Sequence, residues 1–481
     1  MSTKLKASDG KLSLKEIFCY GASGFGQNLI CGLISTYIMI FYTDVFGIPA
    51  IAAAVIMFAA RIFDAFNDPI MGSIVDRTRT RWGKLRPYML FTPLPIAILT
   101  VMCFSSPELS TNGKIAYAAV TYVIWGVLFT IIDVPYWGLS SAMTGDTNER
   151  NKLLAFARLA CTGGAGLLTL VIPLITSNVT KGVEEQFVAK YGEVLNAAAK
   201  AEYAVAVQEA LQPTYFWISV ACAVVGAPMF LLAFFGTKER VVYNGENPPS
   251  LKHNLSLLFK NKPLLLIVLS CVLGSLQIVY TYMFLYLAKY NLGNESYASI
   301  MSILVVPLGL VATLTMPFFS KRMGKKTLYM WIHVLQAVVL VAMYFVGYNT
   351  KTKLIILAIG LIILGLPAGF NNILTYALIG DTVDYLELKT GERGEGICFA
   401  MQTFTSKMAM AFSSLAIGIT LGAIFYVPND FQPSQTVLDG LFFLATMGAA
   451  ISSALCLIPM FFFKFTEKEQ KKAREIIESR K

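Results

Sequence analysis

The chain has 481 residues, of which 56% are hydrophobic and only 14% charged. This composition excludes a soluble protein, because soluble domains carry about 25% charged residues. The net charge of +10 would suit a nucleic-acid partner, but the basic residues gather in short loops between apolar stretches, as they do in membrane proteins. We therefore expect a protein whose partner is the lipid bilayer and not nucleic acid.

Twelve apolar stretches are long enough to cross a bilayer, since a membrane helix needs roughly 20 mostly apolar residues. The predicted spans run at approximately 17–46, 49–75, 87–107, 114–143, 152–176, 214–236, 263–290, 297–320, 326–347, 353–380, 396–426 and 437–465. A basic cytoplasmic linker, 237–262, separates an N-terminal half, 1–236, from a C-terminal half, 263–481, that ends in a basic tail. Segments 72–89 and 318–330 are similar in sequence, because both place glycine and basic residues after the second span of a half. The sequence thus predicts an all-α membrane protein with twelve transmembrane helices in two six-helix halves.

The distribution of Lys and Arg predicts the orientation in the membrane. With the N-terminus inside, 29 of the 39 basic residues fall in the two tails and the inner loops, and 7 fall in outer loops. Basic residues at the ends of spans are counted with the adjoining loops, and the remaining three, Arg61, Arg158 and Lys407, lie deep within spans. Because positive charge collects on the cytoplasmic side, both termini are expected in the cytoplasm, and the chain in the cell membrane.

The one long segment expected outside the membrane is the outer loop 177–213, which is rich in alanine and glutamate. We expect it to contain a helix and to form a solvated cap over the outer side. A separate binding module is the alternative.

Six charged side chains lie inside the predicted spans away from their ends, and a charge at the bilayer centre costs about 2.5–3.5 kcal/mol and normally faces a polar cavity. Three are acids and three are bases: Asp64, Asp68, Asp133, Arg61, Arg158 and Lys407. Their formal charges cancel, as a shared cavity would require.

The second span carries the pattern of a cation site. Arg61, Asp64 and Asp68 follow at spacings that place them on one helix face, with Asn67 beside them. Two carboxylates and an amide supply the hard oxygen ligands that an alkali cation prefers. A proton could replace the metal on one of these two neighbouring carboxylates. The alternative is an ion pair in which Arg61 neutralises one aspartate for folding alone.

The fourth and fifth spans carry the pattern of a sugar site. Thr130, Asp133 and Trp137 share one face of the fourth span, and an acid beside an indole suits sugar hydroxyls and the apolar face of a sugar ring. Arg158, on the fifth span, could pair with Asp133, bind substrate, or both. Core packing is the alternative reading of Trp137.

Charged residues at other positions suggest contacts between the halves. On the eleventh span, Lys407 follows Thr403 by one turn; it could balance the aspartates of the second span and so link the halves. At the inner ends of the spans, ion pairs could close a cytoplasmic gate in the outward-facing state; the candidates are Arg150, Asp381, Asp384 and Arg393. Ordinary surface charge is the alternative.

Three motifs resemble a known family. The stretches RIFDAFNDPIMGSIVDRTRTRWGKLRPY (61–88), DVPYWGL (133–139) and DTVDY (381–385) are similar to the glycoside–pentoside–hexuronide:cation symporters, the melibiose permease-like family of the major facilitator superfamily. The resemblance covers nearly the whole chain.

The resemblance implies a site for sodium, lithium or a proton and a site for a sugar. The cation positions are occupied here by Asp64, Asn67, Asp68 and Thr130, with Lys407 close by. The sugar positions are occupied by Asp133, Trp137, Arg158 and Thr403, next to which stands Gln402. The chain departs from the family's galactoside site at Gln27 and Asn28, which replace a Lys–Asp pair, and at Asn372, which replaces a tryptophan.

We therefore expect a secondary transporter that imports a glycoside, pentoside or hexuronide by symport with Na⁺, or with Li⁺ or H⁺, through alternating access. Since one carboxylate of the first span is missing, Arg158 is less fully neutralised and a uronate is a plausible substrate. An uncoupled facilitator, a lipid carrier of the same fold and a membrane sugar sensor are the alternatives. No catalytic motif such as G-x-S-x-G or H-E-x-x-H occurs, so neither an enzyme nor a cofactor is expected.

Overall fold

The computed structural model describes residues 11–192, 195–240, 251–392 and 394–479, and all regular secondary structure in them is helical. Each predicted span coincides with a helix or an interrupted helix. In chain order these are α1 Leu14–Val45, α2 Ala50–Arg77, α3 Arg86–Phe91 with Pro93–Cys103, α4 Thr111–Met143, α5 Thr147–Tyr191, α6 Ala197–Gly236, α7 Lys262–Leu273 with Ser275–Asn291, α8 Tyr297–Met323, α9 Lys325–Val346, α10 Lys351–Thr390, α11 Glu395–Ala423 and α12 Gln435–Phe462. Two shorter helices complete the described chain, the linker helix Leu251–Lys260 and the C-terminal helix Glu467–Ser479.

The chain forms two compact units. The first contains α1–α6 together with the segment Val427–Gln432, and the second contains α7–α12 and the C-terminal helix. In the first unit α1 packs against α5 and α6, and α2 packs against α4. In the second unit α10 packs against α8 and α9. The contact of α2 with α4 matters most for function, because these helices carry most of the charged residues predicted in the spans.

Nine of the described helices are long and apolar enough to cross a membrane, and α7 adds a tenth if its two bent parts form one span. The two remaining predicted spans are atypical for identifiable reasons. Helix α2 is 28 residues long but carries the charged residues of the candidate cation site. Helix α3 is divided at Thr92, directly before Pro93, and a proline lacks the backbone N–H that would continue the helix.

Helix α7 breaks at Gly274, where it bends by 49°. Side chains from neighbouring helices satisfy the backbone groups that the break releases. The Ser452 hydroxyl donates to the Leu273 carbonyl at 2.7 Å and accepts from the Leu276 N–H at 3.0 Å, and the Gln336 amide donates to the Gln277 carbonyl at 2.8 Å. A broken helix is tolerated at membrane depth only where protein groups satisfy its backbone in this way.

The outer ends of α1 and α7 repeat one local structure. Both helices finish in a π-helical turn, Phe41–Val45 in α1 and Leu287–Asn291 in α7. Each turn leads two residues later to a glycine in the left-handed region, Gly47 at φ 75° and Gly293 at φ 68°. The equivalent backbone hydrogen bonds recur as well, so the two first helices of the halves are structural counterparts.

The inner sides of the halves repeat a second structure. Gly83, at φ 108°, precedes α3, and the Glu239 carboxylate after α6 accepts the N–H groups of Leu85 and Arg86 at 2.8 and 2.9 Å. Gly324, at φ 82°, precedes α9, whose Lys325 N–H donates to Glu467 after α12. A carboxylate at a helix N-terminus satisfies N–H groups that have no partner within the helix. The resemblance between segments 72–89 and 318–330 thus corresponds to a repeated capping arrangement.

The predicted outer loop 177–213 extends the neighbouring helices and does not form a separate insertion. Helix α5 continues to Tyr191 and α6 starts at Ala197, so the two form a helical hairpin. Phe187 packs on Tyr203 with ring centroids 5.5 Å apart, and the Glu202 carboxylate accepts the Tyr191 hydroxyl at 2.7 Å. That hydroxyl, together with the Lys190 ammonium, lowers the pKa of Glu202.

The segment Val427–Gln432 packs on this hairpin within the first unit. The Phe431 ring meets the edge of Tyr203 at 5.1 Å, and the Asn429 amide donates to the Asp44 carbonyl at 2.7 Å. Asn429 has a positive φ of 54°, which asparagine tolerates better than most residues. The outer face of the first unit is therefore tied together by chain segments far apart in sequence.

Candidate cation and sugar sites

Two charged residues of α2, Arg61 and Asp64, are buried and form an ion pair. Arg61 is 5% exposed and Asp64 is 3% exposed, and the guanidinium Nη1 lies 3.3 Å from Asp64 Oδ2. The guanidinium also lies over the ring of Tyr122 on α4, 5.7 Å from its centroid. The ion pair considered from the sequence therefore exists, and it involves the first of the two aspartates.

The second aspartate of α2 pairs with α4 instead. The Thr130 hydroxyl donates to Asp68 Oδ1 at 3.2 Å. The amide nitrogen of Asn67 is buried without a hydrogen-bond partner among the described residues. Three of the four predicted cation ligands thus lie at the contact of α2 with α4: Asp64, Asp68 and Thr130. The fourth, Asn67 of α2, presents an amide nitrogen without a hydrogen-bond partner in the described structure.

A glycine missed by the sequence reasoning makes room for this contact. A Cβ atom placed on Gly126 of α4 would lie only 2.9 Å from Asp64 Oδ1. Tyr122, Gly126 and Thr130 follow at intervals of four residues, so they form one face of α4 opposite the charges of α2. That spacing was visible in the sequence, but the identity of the facing helix was not.

The predicted sugar residues of the first unit meet around Asp133. Its Oδ1 atom accepts two hydrogen bonds, from Gln27 Nε2 of α1 at 2.5 Å and from Trp137 Nε1 at 3.0 Å. Gln27 is only 2% exposed, and its Oε1 atom is buried without a partner among the described residues. The arrangement combines an oriented carboxylate with a buried acceptor, as a polyhydroxyl ligand requires.

Two of the predicted sugar residues have partners that the sequence reasoning did not name. The Arg158 guanidinium lies over the Trp137 ring, 4.2 Å from its centroid, so one face of the indole is covered by a cation. The Asn28 side chain donates from Nδ2 to the Gly24 carbonyl of its own helix at 3.1 Å. Of the adjacent residues Gln27 and Asn28, Gln27 is therefore the one that contacts Asp133 of the predicted sugar site in the described structure.

A tyrosine pair missed by the sequence reasoning holds α1 against α4. The Tyr20 hydroxyl donates to the Tyr136 carbonyl at 2.9 Å, and the Tyr136 hydroxyl donates to the Tyr20 carbonyl at 3.0 Å. The rings stack with centroids 4.6 Å apart. Because Tyr20 lies about two turns from Gln27 and Tyr136 one turn from Asp133, the pair sets the register in which these two side chains meet.

The remaining predicted substrate residues belong to the second unit. Asn372 is exposed on α10, and Thr403 is exposed on α11 one turn before Lys407. The Gln402 Oε1 atom is buried and has no hydrogen-bond partner in the described part of the chain. The role of these residues in sugar binding, and that of Lys407 in linking the halves, stay predictions.

The predicted gate residues are held within their own unit. Both oxygens of Asp381 lie 2.6 Å from the Lys325 ammonium of α9. Asp384 Oδ2 accepts from Gln470 Nε2 at 2.8 Å and from Arg474 Nε at 2.7 Å, both on the C-terminal helix. The sequence reasoning named none of these three partners.

The other two gate candidates are less defined. Arg150 lies in the first turn of α5 and is half-buried. Arg393 lies outside the described residues. The gate therefore stays a prediction.

Comparisons with known proteins agree on one family. The model of the family described as "MFS/sugar transport protein" matches residues 19–467. The chain is 30% identical over 471 residues to the uncharacterized symporter YjmB of Bacillus subtilis (strain 168), covering 96% of this chain and 95% of that protein. It is also 30% identical over 460 residues to the isoprimeverose transporter of Lactiplantibacillus pentosus, covering 95% and 90%. The crystal structure of a D-xylose-proton symporter shares the fold, with a TM-score of 0.60 at 13% identity over 93% of this chain and 96% of that chain.

Proposed function

The chain belongs to the MFS/sugar transport protein family, among the glycoside–pentoside–hexuronide:cation symporters of the major facilitator superfamily, and is a membrane transporter and not an enzyme. From this membership we propose that it imports a glycoside, pentoside or hexuronide by symport with Na⁺ through alternating access. We place it in the cell membrane with both termini in the cytoplasm, as the excess of basic residues in the inner loops indicates.

One observation carries the proposal: a single face of α4 takes part in both candidate sites. Thr130 contacts Asp68 of the cation set, and Asp133, three residues later, contacts Gln27 of the sugar set. Residues three apart on a helix are neighbours one turn from each other. A change at either site is therefore transmitted to the other through one turn of helix.

The charges of the cation set favour a single monovalent ion. Arg61, Asp64 and Asp68 carry a formal charge of −1 together, because the one base offsets only one of the two acids. One Na⁺, Li⁺ or H⁺ would neutralise the set, and neutralisation lowers the cost of holding these groups away from water. Sodium suits the carboxylate, amide and hydroxyl oxygens present.

Cation binding would strengthen the sugar site by ordering the contact of α2 with α4. An ion bound between Asp68 and Thr130 fixes the turn of α4 that presents Asp133. Sugar bound at Asp133 restrains the same turn and favours the ion in return. Equilibrium linkage requires the two effects to be equal.

Substitution of Asp68 tests symport. We expect Asp68→Asn to reduce sodium-driven sugar uptake into proteoliposomes at least tenfold, because the cation set then loses one of its two carboxylates. Asp439→Asn is the matched control, since that carboxylate is exposed and its partners Gln435 and Tyr348 belong to neither candidate site. Uptake that ignores sodium, lithium and proton gradients in the unchanged protein would show that symport is wrong.

Uptake into proteoliposomes also distinguishes the alternative functions from symport. An uncoupled facilitator would equilibrate sugar across the membrane without accumulating it. A lipid carrier would move no sugar, and a sensor would bind sugar without transporting it. The polar set around Asp133 argues against a lipid carrier, whose cavity would be apolar.

A further inference from the structure

The outer loop between α11 and α12 divides its residues between the two compact units. Its central segment, Val427–Gln432, belongs to the first unit, whereas Tyr426 before it and Pro433 after it belong to the second unit. We call Val427–Gln432 the strap. Alternating access moves the halves of a transporter against each other. The strap must therefore either release from the first unit during this movement or limit it.

A hydrogen bond of the strap satisfies the outer end of α1. The last carbonyl groups of a helix have no partner within that helix. The Asp44 carbonyl accepts the side-chain amide of Asn429, 385 residues further along the chain, at 2.7 Å. Asn429 is 3% exposed and Asp44 is 1% exposed, so this bond is shielded from water. The docked strap thus replaces the water molecule that would otherwise satisfy this carbonyl.

An aromatic contact holds the strap at a second point. The Phe431 ring meets the edge of Tyr203 of α6 at 5.1 Å, and Tyr203 packs in turn on Phe187 of α5 at 5.5 Å. The hydrogen bond and the ring contact are both on the outer side of the first unit. Both can be reversed, because water from the outer side can take over the hydrogen bond when the strap leaves.

The chain before the strap is anchored in the second unit. The Tyr426 hydroxyl donates to the Tyr290 hydroxyl of α7 at 2.6 Å, and the two rings pack with centroids 5.3 Å apart. Asn429 comes only three residues after Tyr426, and three extended residues span about 10 Å. Pro428 and Pro433 restrict the backbone further, because proline fixes φ. A docked strap therefore has little spare length to follow a movement of the second unit.

From these contacts we propose that the strap is a reversible restraint on the outer side of the transporter. It is docked on α1 and α6 in this structure and must release before the outer side opens. The inference rests on the proposed function, because alternating access supplies the movement. Release exposes the Asp44 carbonyl and the Asn429 amide to water, so the strap has a dry docked state and a hydrated released state. Weaker docking shifts the equilibrium toward the released state.

A reversible crosslink tests whether transport requires release of the strap. In the double variant Tyr203→Cys with Phe431→Cys, a short bis-methanethiosulfonate reagent links the strap to α6. In the control, Phe187→Cys with Tyr203→Cys, the same reagent links two helices of the first unit. We expect the first link to reduce sodium-driven uptake into proteoliposomes at least tenfold, with recovery in dithiothreitol, and the control link to change uptake less than twofold. Equal uptake by the two linked variants would overturn the proposal.

The transport probes are methyl β-D-glucoside, methyl β-D-xyloside and methyl β-D-glucuronide. Uptake of at least one of them by the unchanged protein and by the linked control variant establishes transport before the strap is judged. If the unchanged protein moves none of the three with any cation gradient, the proposed function falls. A labelling experiment that needs no sugar then decides whether the strap releases.

Labelling from the outer side measures how firmly Asn429 holds the strap. A membrane-impermeant maleimide is applied to intact cells that produce the Tyr203→Cys variant, whose cysteine replaces a side chain only 5% exposed. The chain without the added cysteine gives the background from its eight native cysteines. We expect Asn429→Ala to raise the labelling rate at least tenfold and Gln432→Ala, at an exposed position of the strap, to leave it within twofold. Equal rates in these two variants would contradict the role given to Asn429.

Discussion

At the scale of single residues, the candidate cation site depends on which aspartate of α2 each donor contacts. The two aspartates of α2 lie one turn apart, yet Asp64 pairs with Arg61 and Asp68 with Thr130. The two carboxylates therefore contact different helices, Asp64 its own and Asp68 the facing helix α4. The ion-pair and cation-site interpretations of the sequence are compatible, because the pairing of Asp64 with Arg61 leaves both aspartates in the predicted cation set.

Gly126 provides the sharpest residue-scale prediction for the cation site. A methyl group there would lie 2.9 Å from Asp64 Oδ1, closer than normal packing allows. We expect Gly126→Ala to raise the sodium concentration for half-maximal uptake at least tenfold by displacing this carboxylate. Gly166→Ala is the control, since nothing lies within 4 Å of the added methyl. Unchanged sodium dependence in Gly126→Ala would place the ion elsewhere.

At the scale of helices, the repeated capping of α3 and α9 determines how the inner loops are held. Glu239 and Glu467 follow the last helices of the two halves and return to cap the third helix of each. Each cap needs a glycine in the left-handed region beside it, Gly83 or Gly324. A side chain at either glycine would meet the carboxylate as well as backbone strain.

A pair of glycine substitutions separates these two effects. Gly83 and Gly192 both have positive φ, 108° and 81°, but only Gly83 lies against a carboxylate, 2.4 Å from an added Cβ. Both alanine variants incur backbone strain of about 1–3 kcal/mol. We expect Gly83→Ala to lower the Tm in detergent clearly more than Gly192→Ala. Equal losses would show that the Glu239 cap contributes little to stability.

At the scale of the whole molecule, the proposed function makes a reciprocal prediction. If α4 links the two sites, saturating sodium should lower the Kd of the sugar, and saturating sugar should lower the Kd of sodium by the same factor. We expect a factor of about 5–150, the usual range for such linkage. Calorimetric titration of the purified protein with each ligand, in the presence and absence of the other, measures both factors. Independent affinities would contradict the role given to α4.

Several features followed from the sequence alone. The twelve apolar stretches, the charges within them and the three family motifs predicted the helical fold and the sugar-transport family, which the comparisons confirmed. Spacing along α2 and α4 also placed Asp64 with Asp68, and Thr130 with Asp133, on shared faces. Periodicity achieves this because one helix turn is a local property of the chain.

Only the tertiary structure determined which helix faces contact each other. It placed Gln27 on Asp133, oriented Asn28 toward its own helix, and left Arg158 stacked on Trp137 without a carboxylate partner among the described residues. It also turned the predicted outer loop into a hairpin of α5 and α6. These outcomes depend on packing between helices that are distant in sequence, and helical periodicity carries no information about the neighbour that a face will contact.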